Sequence, residues 1–288
     1  MSTTTSTYLS ISQNLARYQQ ATADQPAVKT ASQYYAANIG SVTSISQFVG
    51  NYRLLSYALD AYGLGDQVNN TALVTQVLQG GVSSSKSLAN TLSNPNWAKF
   101  AAAFNFTGEG ASSISTPTAV QTTTTNYVEE QLETQEGQQD PGVQLALYFQ
   151  RVAPTISNPL SILGDTNLTD VVQTIFNLPP DTAATNVNAE ASEINQLMPM
   201  SELQNPKELT QLTERFTAMY DLDYGAGGAD ASSPLIVNSD GKSSTTANAA
   251  STILSGVISG NSSATSSSTA SLFNNVLLAS MQSLTLGG

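Results

Sequence analysis

Residues 34–64 are YYAANIGSVTSISQFVGNYRLLSYALDAYGL, and residues 148–178 are YFQRVAPTISNPLSILGDTNLTDVVQTIFNL. A constant shift of 114 positions places the first stretch over the second, and apolar residues then fall on apolar residues while the polar ones differ. The matched pairs are Val42 with Ile156, Phe48 with Ile162, Leu54 with Leu168, Ala58 with Val172, and Leu64 with Leu178. A duplicated unit whose buried positions are constrained produces this pattern, so we interpret the chain as an internal repeat.

The spacing of the apolar residues inside each stretch is that of α-helices. Phe48, Tyr52, Leu55 and Tyr62 recur at intervals of three, four and seven positions, which builds one broad apolar face. Gly40 stands where a helix can end in a left-handed residue. No comparable alternation indicates a β-strand. We therefore predict an all-α fold made of two diverged copies of a multi-helix unit, followed by a flexible C-terminal extension with one or two short helices.

Composition along the chain predicts the boundaries of these parts. Stretches rich in Gly, Ser and Thr separate the two copies from each other and from the C-terminus, as expected of linkers. The predicted order is a disordered tail at 1–7, a first helical repeat at 8–106, a linker at 107–126, a second helical repeat at 127–224, a Gly/Ser-rich linker at 225–248 and an amphipathic segment at 249–288.

Two surfaces are candidates for binding a partner. One is an acidic run in the predicted second repeat, whose ordinary interpretation is a solvated helix face and whose alternative is a docking surface for a basic partner. The other is an apolar stripe at helical spacing near the C-terminus, which could fold against a neighbouring subunit. The candidate residues are Glu129, Glu130, Glu133, Glu136, Leu272, Phe273, Val276, Leu277 and Met281.

Composition also removes several kinds of chemistry. The 288 residues include no cysteine and no histidine, which excludes thiolate nucleophiles, imidazole bases and zinc sites of the Cys/His type. The net charge of −12 gives no electrostatic attraction for nucleic acid. We expect no metal, no cofactor and no small-molecule substrate. Catalysis by carboxylates alone stays open, but we expect that the protein is not an enzyme.

Two arginines occur in apolar surroundings, and each has two interpretations. Arg53 lies within NYRLLSYAL, and Arg151 follows Tyr148 and Phe149. Either arginine could pack its stem on the core with its guanidinium in water, which we favour, or it could be buried against helix-end carbonyls or an acidic partner.

The N-terminal residues MSTTTSTYLS have no basic region and no apolar run, so we expect no Sec signal peptide. No apolar stretch approaches the ~20 residues that a membrane-spanning helix needs. The expected location is therefore the cytoplasm or, by export without a cleaved signal, the bacterial flagellum or the exterior.

The stretch NYRLLSYALDAYGLGDQVNNTALVTQVLQGG, followed by LANTLSNPNWAKFAAAFNF, resembles a bacterial domain-of-unknown-function family, number 1217. Segments of the second copy, GVQLALYFQRVAPTISNPLSILGD and LQNPKELTQLTERFTAMYDL, resemble it too. The resemblance covers roughly residues 8–224. It implies an all-helical, flagellum-associated protein, chiefly from alphaproteobacteria, with no assigned enzymatic activity and no catalytic residues.

The resulting first hypothesis is a non-enzymatic structural or assembly protein of the bacterial flagellum. It would act through contacts with other flagellar proteins or with copies of itself. The alternative is a cytoplasmic adaptor or chaperone of flagellar export that binds its partner through the acidic helix 127–140.

Overall fold

The computed structural model of the protein describes residues 3–178 and 186–224, and this part of the chain is α-helical without a β-strand. The all-α prediction is confirmed. The described residues form fifteen α-helices: α1 Thr4–Gln13, α2 Leu15–Ala23, α3 Pro26–Asn38, α4 Ile45–Gly50, α5 Tyr52–Ala61, α6 Thr71–Gly80, α7 Leu88–Thr91, α8 Asn96–Ala103, α9 Pro117–Gly137, α10 Pro141–Val152, α11 Pro159–Leu163, α12 Thr166–Phe176, α13 Val187–Leu197, α14 Met200–Leu203 and α15 Pro206–Tyr224. Short 3₁₀ helices lie at Ile39–Ser41, Gly65–Asn69, Ser113–Ser115 and Ala153–Thr155.

The internal repeat is visible in the order of the helices. The shift of 114 positions carries α3 onto α10, the 3₁₀ helix Ile39–Ser41 onto Ala153–Thr155, α4 onto α11 and α5 onto α12. The caps correspond as well: Asn51 accepts a hydrogen bond from the Leu54 N–H, and Asp165 accepts one from the Leu168 N–H. Helices α6 to α8 and α13 to α15 follow in the same order. The two copies therefore share one helical plan.

The first helices of the two copies also correspond, with one difference. The shift of 114 carries α1 and α2 onto the span of the single 21-residue helix α9. Threonine side chains cap both starts, Thr3 on the Ser6 N–H and Thr116 on the Ala119 N–H. In the first copy the helix is interrupted at Asn14, whose φ of −128° and ψ of 29° are not helical. The second copy has a continuous helix there.

These helices correct two predicted boundaries. The predicted disordered tail at 1–7 contains the start of α1, and Thr4 is fully buried. The second half of the predicted linker at 107–126 is the first part of α9, where Thr123 is buried. Thr-rich stretches have low helix propensity, but packing of a buried face overrides that preference. The predicted linker at 225–248 and the amphipathic segment at 249–288 lie outside the described residues.

The helices enclose two hydrophobic cores, and each core contains side chains from both repeats. The first core is built mainly on α3 to α8, and Tyr127 and Val128 of α9 complete it. The second core is built mainly on α10 to α15, and Tyr8 and Ile11 of α1 complete it. The ring of Tyr57 stacks on Tyr127, with centroids 3.9 Å apart. The first helix of each repeat therefore contributes side chains to the core of the other repeat, while α9 also packs against α10 of its own repeat.

A close backbone approach joins the repeats at Gly164. A Cβ atom at this position would overlap the carbonyl oxygen of Ser93, which belongs to the first repeat. The contact leaves room only for a hydrogen atom, so glycine is needed here for steric reasons. Across the described residues, no helix is both long enough and apolar enough to cross a membrane.

Candidate functional site

The four glutamates of the predicted docking surface lie on α9, and none of them is fully exposed. Glu129 accepts a hydrogen bond from the Gln19 side chain at 2.9 Å, and Glu136 is partly buried. Glu133 is only 3% exposed. The prediction of a solvent-facing acidic surface is therefore wrong for Glu133, which is buried, and the other three glutamates are only partly exposed. The candidate residues Leu272, Phe273, Val276, Leu277 and Met281 lie outside the described residues.

Arg151 binds two of these glutamates at once. Its Nε donates to Glu133 Oε1 at 2.6 Å, and its Nη2 donates to Glu133 Oε2 and to Glu130 Oε2, each at 2.7 Å. The guanidinium thus makes a two-pronged contact with Glu133 and a third bond to Glu130. The less favoured interpretation of Arg151, a buried guanidinium on an acidic partner, is the one that the structure supports.

Local sequence explains why these three side chains meet. Glu130 and Glu133 are three residues apart on α9 and so lie on one face of that helix. Three residues connect α9 to α10, and α10 packs back along α9. Asp140 in this connection caps α10 by accepting hydrogen bonds from the Gly142 and Val143 N–H groups. Arg151, in the last turn of α10, is thereby placed opposite the two glutamates.

Polar groups of the first repeat border the same cluster. Asn96 of α8 donates to the hydroxyl of Tyr148 at 3.3 Å, and that hydroxyl donates to Asp165. These three side chains are buried, and the chain of hydrogen bonds links α8 of the first repeat to the N-terminal cap of α12. Asp60 and Lys99 lie close enough for charge interactions with Glu130 and with Arg151, respectively. We call the whole group the bridging cluster, and its members are Asp60, Asn96, Lys99, Glu130, Glu133, Tyr148, Arg151 and Asp165.

Burial shifts the ionisation of several members. It raises the pKa of Asp60 to about 6 and lowers the pKa of Lys99 to about 8, the latter with a further contribution from the charge of Arg151. Burial, reinforced by the charge of Glu133, also raises the pKa of Glu130, and Arg151 opposes that increase. Four carboxyl groups share this region with two basic side chains, and Arg151 is the cation that two of the carboxylates bind.

The hydrogen bonds indicate what this arrangement can do. The carboxylate of Glu133 faces Arg151 with both oxygens, and Asp165 accepts from Tyr148 and from the Leu168 N–H. A general acid or base needs an oxygen that reaches a substrate, whereas these oxygens already accept bonds from the protein. Within the part of the chain that the structure describes, no group of three acidic side chains is arranged to hold a metal ion. The geometry is that of a structural clamp between helices.

Sequence reasoning did not find Asp60, Asn96, Lys99 or Asp165 as members of this cluster. Asp165 carried a usable signal, because an Asp before an apolar helical run is typical of a helix N-cap. The partners of Arg151 are 18 and 21 positions away in sequence, and no local pattern connects them.

The second arginine singled out from the sequence, Arg53, behaves differently. Its guanidinium carbon lies 3.6 Å from the centroid of the Tyr34 ring, a cation–π contact at the surface. The neighbouring Tyr52 is 62% exposed. We call the Arg53–Tyr34 contact, together with the exposed Tyr52 that precedes Arg53 in sequence, the Tyr–Arg patch.

Comparison with known proteins places the chain in a family. Residues 61–209 match the family described as protein of unknown function (DUF1217). An X-ray crystal structure of protein AGR_C_984 from Agrobacterium tumefaciens is similar, with 38% identity and a TM-score of 0.71 over 75% of this chain and 92% of that one. No protein with a curated description gives a significant match. The family match spans more than half of the sequence, and the chain therefore belongs to the DUF1217 family.

Proposed function

We propose that this protein is a non-enzymatic structural or assembly component of the bacterial flagellum that acts through protein–protein contacts. The flagellar part of the proposal rests on the family resemblance of the sequence. The observation that carries the non-enzymatic part is the pairing of Arg151 with Glu130 and Glu133. In the described residues, the guanidinium of Arg151 and the carboxylates of Glu130 and Glu133 bind one another, so these groups serve packing between helices.

This pairing favours a structural role for energetic reasons. Three charge-assisted hydrogen bonds hold one guanidinium between two carboxylates, and bonds of this kind are stronger than those between neutral groups. Catalytic carboxylates work when their environments push two pKa values apart and leave an oxygen directed at a substrate. In the bridging cluster the same oxygens are directed at Arg151 and at the hydroxyl of Tyr148.

Exposed apolar and aromatic side chains support contact with other proteins. Tyr and Arg dominate the binding energy of many interfaces, and the Tyr–Arg patch places the Arg53 guanidinium over the Tyr34 ring at the surface. Leu222, near the end of α15, is 76% exposed and lies next to the start of the predicted C-terminal linker. The apolar stripe that includes Leu272 and Met281 would add a second contact surface if it folds against a neighbouring subunit.

The alternative, a cytoplasmic adaptor that uses the helix 127–140, has less support. A basic partner would need the carboxylates of that helix, and two of the four glutamates already bind Arg151. Replacing Glu133 with Lys would therefore break the Arg151 pair rather than test a surface. The hydrogen bonds of Arg151 go to Glu130 and Glu133 and not to Glu136. Glu136→Lys is therefore the better charge reversal for testing whether this helix binds a basic partner.

The decisive experiment follows the location of the protein in the source bacterium. An epitope-tagged copy is expressed in flagellated cells and in a strain that lacks flagellar export, and sheared flagella, culture medium and cell lysate are compared. We expect the protein with the flagellar or external fraction in the first strain and inside the cells in the second. Retention in the cytoplasm of both strains would refute the export part, and intact flagella after deletion of the protein would refute the assembly role.

A further inference from the structure

The two repeats complete each other's cores by exchanging their first helices. Helix α1 begins the first repeat, yet its Tyr8 and Ile11 are buried in the core of the second. The N-terminal half of α9 begins the second repeat, yet Tyr127 is buried in the core of the first. Each repeat therefore presents a groove that accepts the first helix of a different repeat. The side chains that line such a groove can make the same contacts with a first helix from another copy of the chain.

The hydrogen bonds that hold the start of α1 reach the second repeat. The Thr4 N–H donates to Asp221 Oδ1 at 2.7 Å, and the Thr5 N–H and hydroxyl donate to Asp221 Oδ2 at 3.1 and 2.8 Å. The Thr4 hydroxyl donates to Asp140 at 2.9 Å in a buried position. Helix α1 packs mainly against α10 and α15 and meets α2 near their junction. Asp221 on α15 of the second repeat thus binds the N-terminus of α1, a helix of the first repeat.

The junction between α1 and α2 has the properties of a hinge. Asn14 leaves the helical conformation there, whereas the corresponding position in the second repeat, Val128, lies inside the continuous helix α9. The second repeat therefore shows that a segment of this length in this fold can be one continuous helix. If residues 4–23 formed such a helix, Asn14 would become helical and α1 would take a different direction relative to α2.

We propose that α1 exchanges between two copies of this chain, so that α1 of one copy occupies the α10–α15 groove of another. The exchanged dimer repeats the contacts that α1 makes with α10 and α15 in the monomer, including those of Tyr8, Ile11 and Asp221. The two states differ in the conformation at Asn14 and in the entropy of association, so the dimer forms at high protein concentration. This proposal concerns self-association and does not depend on the flagellar location.

Single cysteines test the exchange directly, because the natural chain contains none. Full-length Thr5→Cys is mixed with a size-tagged, full-length Asp221→Cys, incubated at high concentration and oxidised. The positions contact each other only when α1 is docked, so a disulfide between the two chains reports an exchanged helix. The control mixture pairs Thr5→Cys with Glu109→Cys, an exposed position on a loop. A doubly substituted Thr5→Cys, Asp221→Cys chain calibrates the yield of the disulfide within one molecule.

We expect the disulfide-linked heterodimer of the first mixture to exceed that of the control mixture at least about fivefold. Asn14→Ala, which favours a continuous helix, should increase the dimer fraction about threefold in light scattering after size exclusion, and Asn14→Gly should decrease it. A heterodimer yield equal to that of the control would overturn the proposal. So would an identical dimer fraction for the two Asn14 variants.

Discussion

Replacing Arg151 with methionine tests the bridging cluster most sharply. The substitution keeps an apolar stem of similar length but leaves Glu130 and Glu133 facing each other without their shared cation. Removing one partner of a buried ion pair costs about 3–5 kcal/mol. The side chains of Arg151 and Glu130 retain 22% and 20% of their exposure, so water relieves part of this cost. We expect Arg151→Met to lower the free energy of unfolding by about 3 kcal/mol.

Urea unfolding followed by circular dichroism at neutral pH measures this loss, and two further variants separate its causes. Arg53→Met is the matched control, because it also removes an arginine but only a surface cation–π contact, and should cost about 1 kcal/mol or less. A triple variant, Arg151→Met with Glu130→Gln and Glu133→Gln, removes the uncompensated charges and should recover at least half of the lost stability. A loss below about 0.5 kcal/mol for Arg151→Met, or no recovery in the triple variant, would refute the reasoning.

Two further predictions concern one titrating group and one glycine. Burial raises the pKa of Asp60 to about 6 in the folded protein, above its value of about 4 in the unfolded chain. The contribution of Asp60 to the free energy of unfolding is therefore full below about pH 4 and is lost as the pH rises through 6. Asp60→Asn should therefore stabilise the protein by roughly 1–2 kcal/mol at pH 8 and by less at pH 5 in urea titrations, and equal effects would contradict the shift. Gly164→Ala should cost about 1–3 kcal/mol, because its methyl group meets the Ser93 carbonyl, whereas Gly50→Ala, with open space around it, should be neutral or slightly stabilising in thermal melts.

The sequence alone predicted the fold class and the repeat because both depend on the spacing of apolar residues. The shift of 114 positions was visible between residues 34–64 and 148–178, and the same shift relates the 3₁₀ helices Ile39–Ser41 and Ala153–Thr155. Buried positions change slowly in chemical character, so a duplicated core remains recognisable when its polar residues have diverged.

The errors arose where tertiary packing decides the structure. The stretch QTTTTN at 121–126 resembles a linker, yet it is helical because Thr123 and Tyr127 pack on the first core. Glutamates near one another in sequence resemble a solvated face, and only the position of Arg151 on the next helix shows why Glu133 is buried. The exchange of first helices has no local signal, since it depends on which groove each helix enters.

Hydrogen exchange of the intact protein provides the most direct test of the central claim. This claim is that the first helix of each repeat, by packing into the core of the other repeat of the same chain, makes the two cores one cooperative unit. Phe100 is fully buried in the first core, and Phe100→Ala should cost about 3–5 kcal/mol. If the repeats unfold together, the slowest amides of α10 in the second core will lose protection by about the same free energy as those of α5 in the first. Unchanged protection of α10 beside a loss confined to α5 would contradict the claim.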